Sequence, residues 1–143
     1  MQSFQLAPNE YLLVFTEPDV ELIAGLTDFA ATNDIPSGRL QAIGSVASAT
    51  LAWWSDLTKK VETWTVEGQY ELVSFLGNIA SANPSDPKAP RIHAHAVMTG
   101  PGGIVAGHAV SLTVRASVEV NVTVFEQGIT RTKNDAFGLY LLG

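Results

Sequence analysis

All three histidines of this chain, His93, His95 and His108, fall within one short stretch. Arg91 to Thr99 alternates as a strand does, Gly100-Pro101-Gly102-Gly103 supplies turn residues, and Ile104 to His108 returns. Side chains in a strand repeat every second residue, so His93 and His95 share one face. A hairpin whose loop runs from Gly100 to Gly103 pairs Thr99 with Ile104. Four steps further along both strands the same register pairs His95 with His108. Opposed side chains have Cβ atoms roughly 4.5–5.5 Å apart and diagonal ones roughly 7–8 Å, so His93 joins the same patch. Three imidazoles on one face can hold a first-row divalent ion, zinc above all. Three protein ligands with an open fourth position is the arrangement of a catalytic metal site. The plainer alternative is three half-buried structural histidines. A bulge in the turn would send His108 to the other face.

The elements that must position this hairpin can be read from the rest of the chain. Glu10 to Phe15 reads as a short first strand, apolar on both faces and hence interior. Thr16-Glu17-Pro18-Asp19 reads as a helix start, with proline in the first turn and acidic groups at the positive end of the dipole. Leu22, Ile23, Leu26, Phe29 and Ala30 then form one apolar stripe, and Asn33 to Gly38 closes the helix. Strands follow. Leu40 to Trp54 is β-leaning, with Gly44 placed for a bulge or a close backbone approach. Ser55 to Thr58 is a turn, and Lys60 to Val66 and Tyr70 to Ile79 are two further strands. Ser81 to Pro90, with three prolines, reads as a surface loop that could lie over the histidines. Val110 to Val124 alternates apolar and polar residues. With Ile104 to His108 it makes too long a run for one flat strand, so a bend is expected between His108 and Thr113. The tail from Thr130 is a polar turn followed by an apolar segment that docks on the sheet. Trp53, Trp54 and Trp64 are expected in the core or at a subunit interface, the alternative being an aromatic binding platform.

Composition narrows the function classes. The chain of 143 residues fits a single domain spanning 1–143. Apolar residues make up 46% and charged ones only 15% of it, so little polar surface is available and self-association into a homo-oligomer is expected. The net charge of −6 speaks against a phosphate-backbone partner, and the only adjacent basic pair, Lys59-Lys60, reads as a solvated hairpin end. There is no cysteine, hence neither disulfide nor thiolate chemistry, which suits a reducing cytoplasm. The N-terminus does not read as a signal peptide, and no apolar run approaches the ~20 residues of a membrane span. A cytoplasmic location with no membrane partner is the expectation. No Walker loop, dinucleotide fingerprint or nucleophile elbow is present.

Gly38 to Ser45, Tyr70 to Ile79 with its Glu-Leu-x-Ser-x-x-Gly-Asn pattern, His93-Ala94-His95, Gly107-His108 and Val118-Glu119-Val120 occur in an order that resembles the PPC domain, also called DUF296. Small prokaryotic proteins and plant AT-hook nuclear proteins share that domain, and the resemblance runs from about Tyr11 to Leu142. It implies an α+β fold, a curved and mainly antiparallel sheet packed against one main helix, assembled as a homotrimer. It also implies that His93, His95 and His108 correspond to the family's histidine cluster, a metal site in prokaryotic members. Where the family carries Gly-Gly-His this chain has Ala106-Gly107-His108. The plant relatives bind DNA through an Arg-Gly-Arg-Pro hook outside the domain. This sequence holds none, so DNA is not an expected partner.

Other residues matching the family are candidates around the metal. Glu71 is the expected general base, and Asn78 and Glu119 are expected to orient an imidazole from flanking strands. Arg131 is expected to bind a small anionic or polar ligand. The expected function is a trimeric protein holding a divalent metal through three histidines, with a small-molecule enzyme as one outcome. A DNA-associated or protein-interaction module is the alternative.

Overall fold

The structure, a computed structural model, describes residues 1–83 and 86–142. It is mostly antiparallel sheet with one short helix. The strands are β1 (Gln2–Ala7), β2 (Glu10–Phe15), β3 (Gly38–Ser55), β4 (Lys60–Asn83), β5 (Asp86–Gly100), β6 (Gly103–Val124), β7 (Arg131–Asn134) and β8 (Leu139–Leu142); the helix α1 spans Leu22–Thr32. The main sheet has the order β1-β2-β6-β3-β4-β5, and β5 returns to pair with β6. That last pairing closes β6, β3, β4 and β5 into a ring, the source of the sheet's curvature. β7 and β8 form a separate hairpin.

Alternation decides which side chains fill the interior. Leu40, Val46 and Leu51 from β3, Leu72 and Phe75 from β4, Met98 from β5 and Leu112, Val114, Val118 and Val120 from β6 are buried. α1 adds Leu22, Leu26, Phe29 and Ala30 to the same core, the stripe expected from its spacing. Removing that much apolar surface from water is the main favourable term holding the ring closed.

The long strands stay continuous by bulging. At Gly44 the pairing of β3 slips against both β4 and β6. Its φ of 154° suits glycine, and a Cβ there would meet the Val118 Cα at 2.6 Å. The β6 alternation changes phase where Thr50 pairs with Ser111 but Leu51 with Ala109, inside the expected bend. That step turns Ala109 inward and leaves Val110 exposed on the side of His108. Lys60 to Val66 and Tyr70 to Ile79 are one strand, not two. Gly68, at φ 116° with open space around it, accommodates an irregularity without ending β4.

Three further expectations are corrected. A strand, β1, precedes Glu10 and pairs with β2. The helix begins at Leu22 rather than near Pro18, because Asp19 and Val20 exchange backbone hydrogen bonds with Val114 of β6. Its N-cap is Glu21, whose carboxylate accepts from the Ile23 and Ala24 amides at 3.1 and 2.6 Å. The expected Ser81–Pro90 loop is strand on both sides, with Ser81 opposite Pro90 and Asn83 opposite Asp86; Pro84 and Ser85 lie outside the described residues. Proline is tolerated here because β5 pairs with β6 only from His95 onward, which leaves its first half as an edge.

Candidate metal centre

Hairpin register brings the histidines together. Gly100 pairs with Gly103 around the two-residue turn Pro101-Gly102, Thr99 with Ile104, and His95 with His108. Ile92, Ala94 and Ala96 point into the core, so Arg91, His93 and His95 point out of it. Ring centroids lie 5.5 Å apart for His93 and His95, 5.0 Å for His93 and His108, and 5.4 Å for His95 and His108. One nitrogen from each ring falls within 4.8 Å of the others. His93 and His108 are partly buried and His95 is exposed.

The β7–β8 hairpin completes the site. A parallel bridge between Ser81 and Thr130 fixes its start beside β4. Arg131 is only 4% exposed. Its Nη2 donates to Asn78 Oδ1 at 2.5 Å and to His93 Nδ1 at 3.1 Å, and its Nη1 donates to the Tyr140 carbonyl at 3.3 Å. A guanidinium only donates, so Nδ1 is the acceptor and neutral His93 carries its hydrogen on Nε2. Arg91 sits over the Tyr140 ring, 5.8 Å from its centroid.

Burial and neighbouring cations favour neutral imidazoles in the cluster. Burial, then Arg131, His108, His95 and Arg91, push the His93 pKa down to about 4. His108 is lowered by burial first and then by His95, Arg91 and Arg131. His93 therefore presents a neutral imidazole at pH 7, the form that binds metals.

The histidines face a cavity of about 810 Å³. Trp53, Trp54, Val61, Leu139 and Leu141 contribute apolar wall, and Arg91 and Arg131 are its charged lining residues. The hairpin tip is held against β3 by an edge-to-face contact of Phe137 on Trp54, with centroids 5.6 Å apart.

Of the other expected site residues, Asn78 and Arg131 are brought to the cluster, Asn78 by pairing with His93. Glu71 and Glu119 are not. Glu71 pairs with Thr99 and Ser45, roughly 17 Å along β4 from Leu76, the residue facing His95, at about 3.3 Å per residue. Glu119 pairs with Val14 and Ile43 at the other end of β6. Among the described residues no carboxylate lines the cavity, and Glu71 is not among the residues beside the cluster. The tryptophans are not core: Trp53 is 57% and Trp64 37% exposed. Arg91 and Tyr140 were overlooked, although period-two alternation already puts Arg91 on the face of His93 and His95.

Residues 7–126 match the profile of the Plants and Prokaryotes Conserved (PCC) domain. The chain belongs to that family. It is the PPC domain that the ordered motifs resemble, and solved structures carry the same fold over the whole chain. A candidate DNA-binding protein from Bacteroides thetaiotaomicron is 25% identical with a TM-score of 0.90, covering 99% of this chain and 96% of its own. Another candidate DNA-binding protein, from Ralstonia eutropha, is 27% identical with a TM-score of 0.85 over 99% and 94%. A metal-containing protein from Archaeoglobus fulgidus, 22% identical, has a TM-score of 0.83 over 99% of each chain. Among curated proteins none matches the sequence.

Proposed function

We propose that this single PCC domain binds a divalent metal ion, zinc by preference, through His93, His95 and His108, and offers a small molecule to that ion in the adjoining cavity. The observation that carries the reading is three imidazole nitrogens within 4.8 Å of one another beside that cavity. Tetrahedral zinc at 2.0–2.1 Å from each nitrogen needs them about 3.4 Å apart, so side-chain adjustments of about 1 Å complete the fit. Neutral imidazoles without a carboxylate suit zinc, copper, nickel or iron better than magnesium or calcium. An ion held by three ligands has room to polarise a carbonyl or activate water. His93 already lends its Nδ1 lone pair to Arg131, so an ion taking that nitrogen takes the place of one guanidinium N–H.

Assembly as a homotrimer in the cytoplasm belongs to the same reading. Exposed Ile43, Val73, Leu76 and Val97 on the strands are apolar surface that a second copy would cover. Among the described residues, no helix is long and apolar enough to cross a membrane.

The test is the metal content of untagged protein by elemental mass spectrometry. About one ion per chain is expected, and its loss in His95→Ala, which removes an exposed side chain and so leaves the fold intact. Stoichiometric metal in that variant would overturn the assignment. A second reading, DNA association, is favoured by the names of the Bacteroides and Ralstonia proteins. The net charge of −6 opposes it. A gel shift at low and physiological salt separates the two, and no shift is expected.

A further inference from the structure

Arg131 is a buried cation whose bonded partners are all neutral: the Asn78 amide oxygen, the Tyr140 carbonyl and His93 Nδ1. Its Nε is buried and has no hydrogen-bond partner. Among the described residues the salt bridges are those of the N-terminus with Glu17 and of Lys59 with Asp56, so no carboxylate neutralises it. Taking a charge out of water without a counter-ion is costly, and buried guanidinium groups are ordinarily paired with anions. Arg91, a second cation lining the same cavity, adds repulsion to the cost of burying Arg131. Two cations therefore line one apolar-walled space in which, among the described residues, there is no acid.

We infer that the missing counter-ion is the ligand: the cavity binds the carboxylate of a small organic acid with an apolar body, anchored by Arg131 and assisted by Arg91. This deepens the proposed function and rests on its reading of the cavity as a ligand site, but it does not depend on the metal. A carboxylate pairs with a guanidinium through charge-assisted hydrogen bonds, and Arg131 keeps its Nε–H and one Nη1–H for it, both Nη2 hydrogens being taken by Asn78 and His93. A phosphoryl group would want more donors: the α1 N-terminal residue in the lining, Ile23, already gives its amide to the Glu21 carboxylate, and the described lining contains no glycine-rich backbone cradle. Trp53, Trp54, Leu139 and Leu141 leave the remainder of the ligand an apolar surround. His93 and His108 lie in the same lining, so an acid held by Arg131 has its neighbouring atoms beside the metal ligands.

The experiment is calorimetry of the full chain with phenylacetate, its neutral isostere phenylacetamide, and inorganic phosphate, each with and without added zinc. Phenylacetate is expected to bind at least tenfold more tightly than the amide or phosphate, zinc or no zinc. Arg131→Gln should abolish that preference, and Arg91→Gln, at an exposed position, should reduce it several-fold. A purely structural Arg131 would lower the melting temperature on substitution while leaving acid and amide equally bound. Equal binding of acid and amide by the wild type, no binding of the acid at millimolar concentration, or an unchanged preference in both variants overturns the proposal. Phosphate binding as tightly as phenylacetate overturns the carboxylate class. Acid binding without zinc uptake refutes the metal reading alone, and zinc uptake without acid preference refutes this one alone.

Discussion

Burial and the nearby guanidinium of Arg131 hold His93 neutral, and that has a sign in stability. The unfolded chain takes up the proton near pH 6.5, the folded chain only near 4. Between those values the unfolded state binds more protons, so stability falls as the pH drops from about 6.5 to about 4 and levels off below. Denaturant midpoints of the wild type and His93→Gln should therefore converge, or cross, as pH is lowered through that window. A difference that stays constant with pH would refute the linkage. The histidine cluster itself was legible, because one hairpin with a strong turn signal fixes which side chains oppose each other. The Arg131 contact was not. It joins residues far apart in the chain, and nothing in local spacing announces that Thr130 will bridge to Ser81.

At the level of elements, Glu21 does two jobs. It caps α1, and the same carboxylate accepts from the Leu112 amide of β6 at 2.9 Å, so the helix and the strand behind the site share one acceptor. Glu21→Ala leaves three amides without that acceptor, and we expect a loss of about 1–3 kcal/mol in urea unfolding. Glu21→Gln, which keeps one oxygen, should recover part of it. This cap escaped sequence reading because glutamate is not a leading N-cap residue, whereas Thr16-Glu17-Pro18-Asp19 carries every generic start signal. The apolar stripe of α1 was readable, since 3.6-residue periodicity survives in any context. Strand lengths were not. Gly68 and Pro90 punctuate the sequence, yet a bulge and a free sheet edge let the backbone pass through them within strands.

The whole molecule is a ring whose seams differ in reach along the chain. β5 and β6 meet through a two-residue turn, while β3 and β6 join Gly38 to Val124; outside the ring, β2 and β6 join Phe15 to Val118. Loop-closure entropy must be met before such distant pairings return any stability, and sheets built on them fold in milliseconds to seconds. The histidines belong to the short seam. They come face to face in a hairpin that forms on the order of microseconds, well before the sheet that shelters them is closed. Zinc added during refolding should therefore speed the reaction as well as slow unfolding, and stopped-flow tryptophan fluorescence would show both; a change in unfolding alone would place the cluster after the barrier. In this architecture the site is an early organiser of the chain as well as its product.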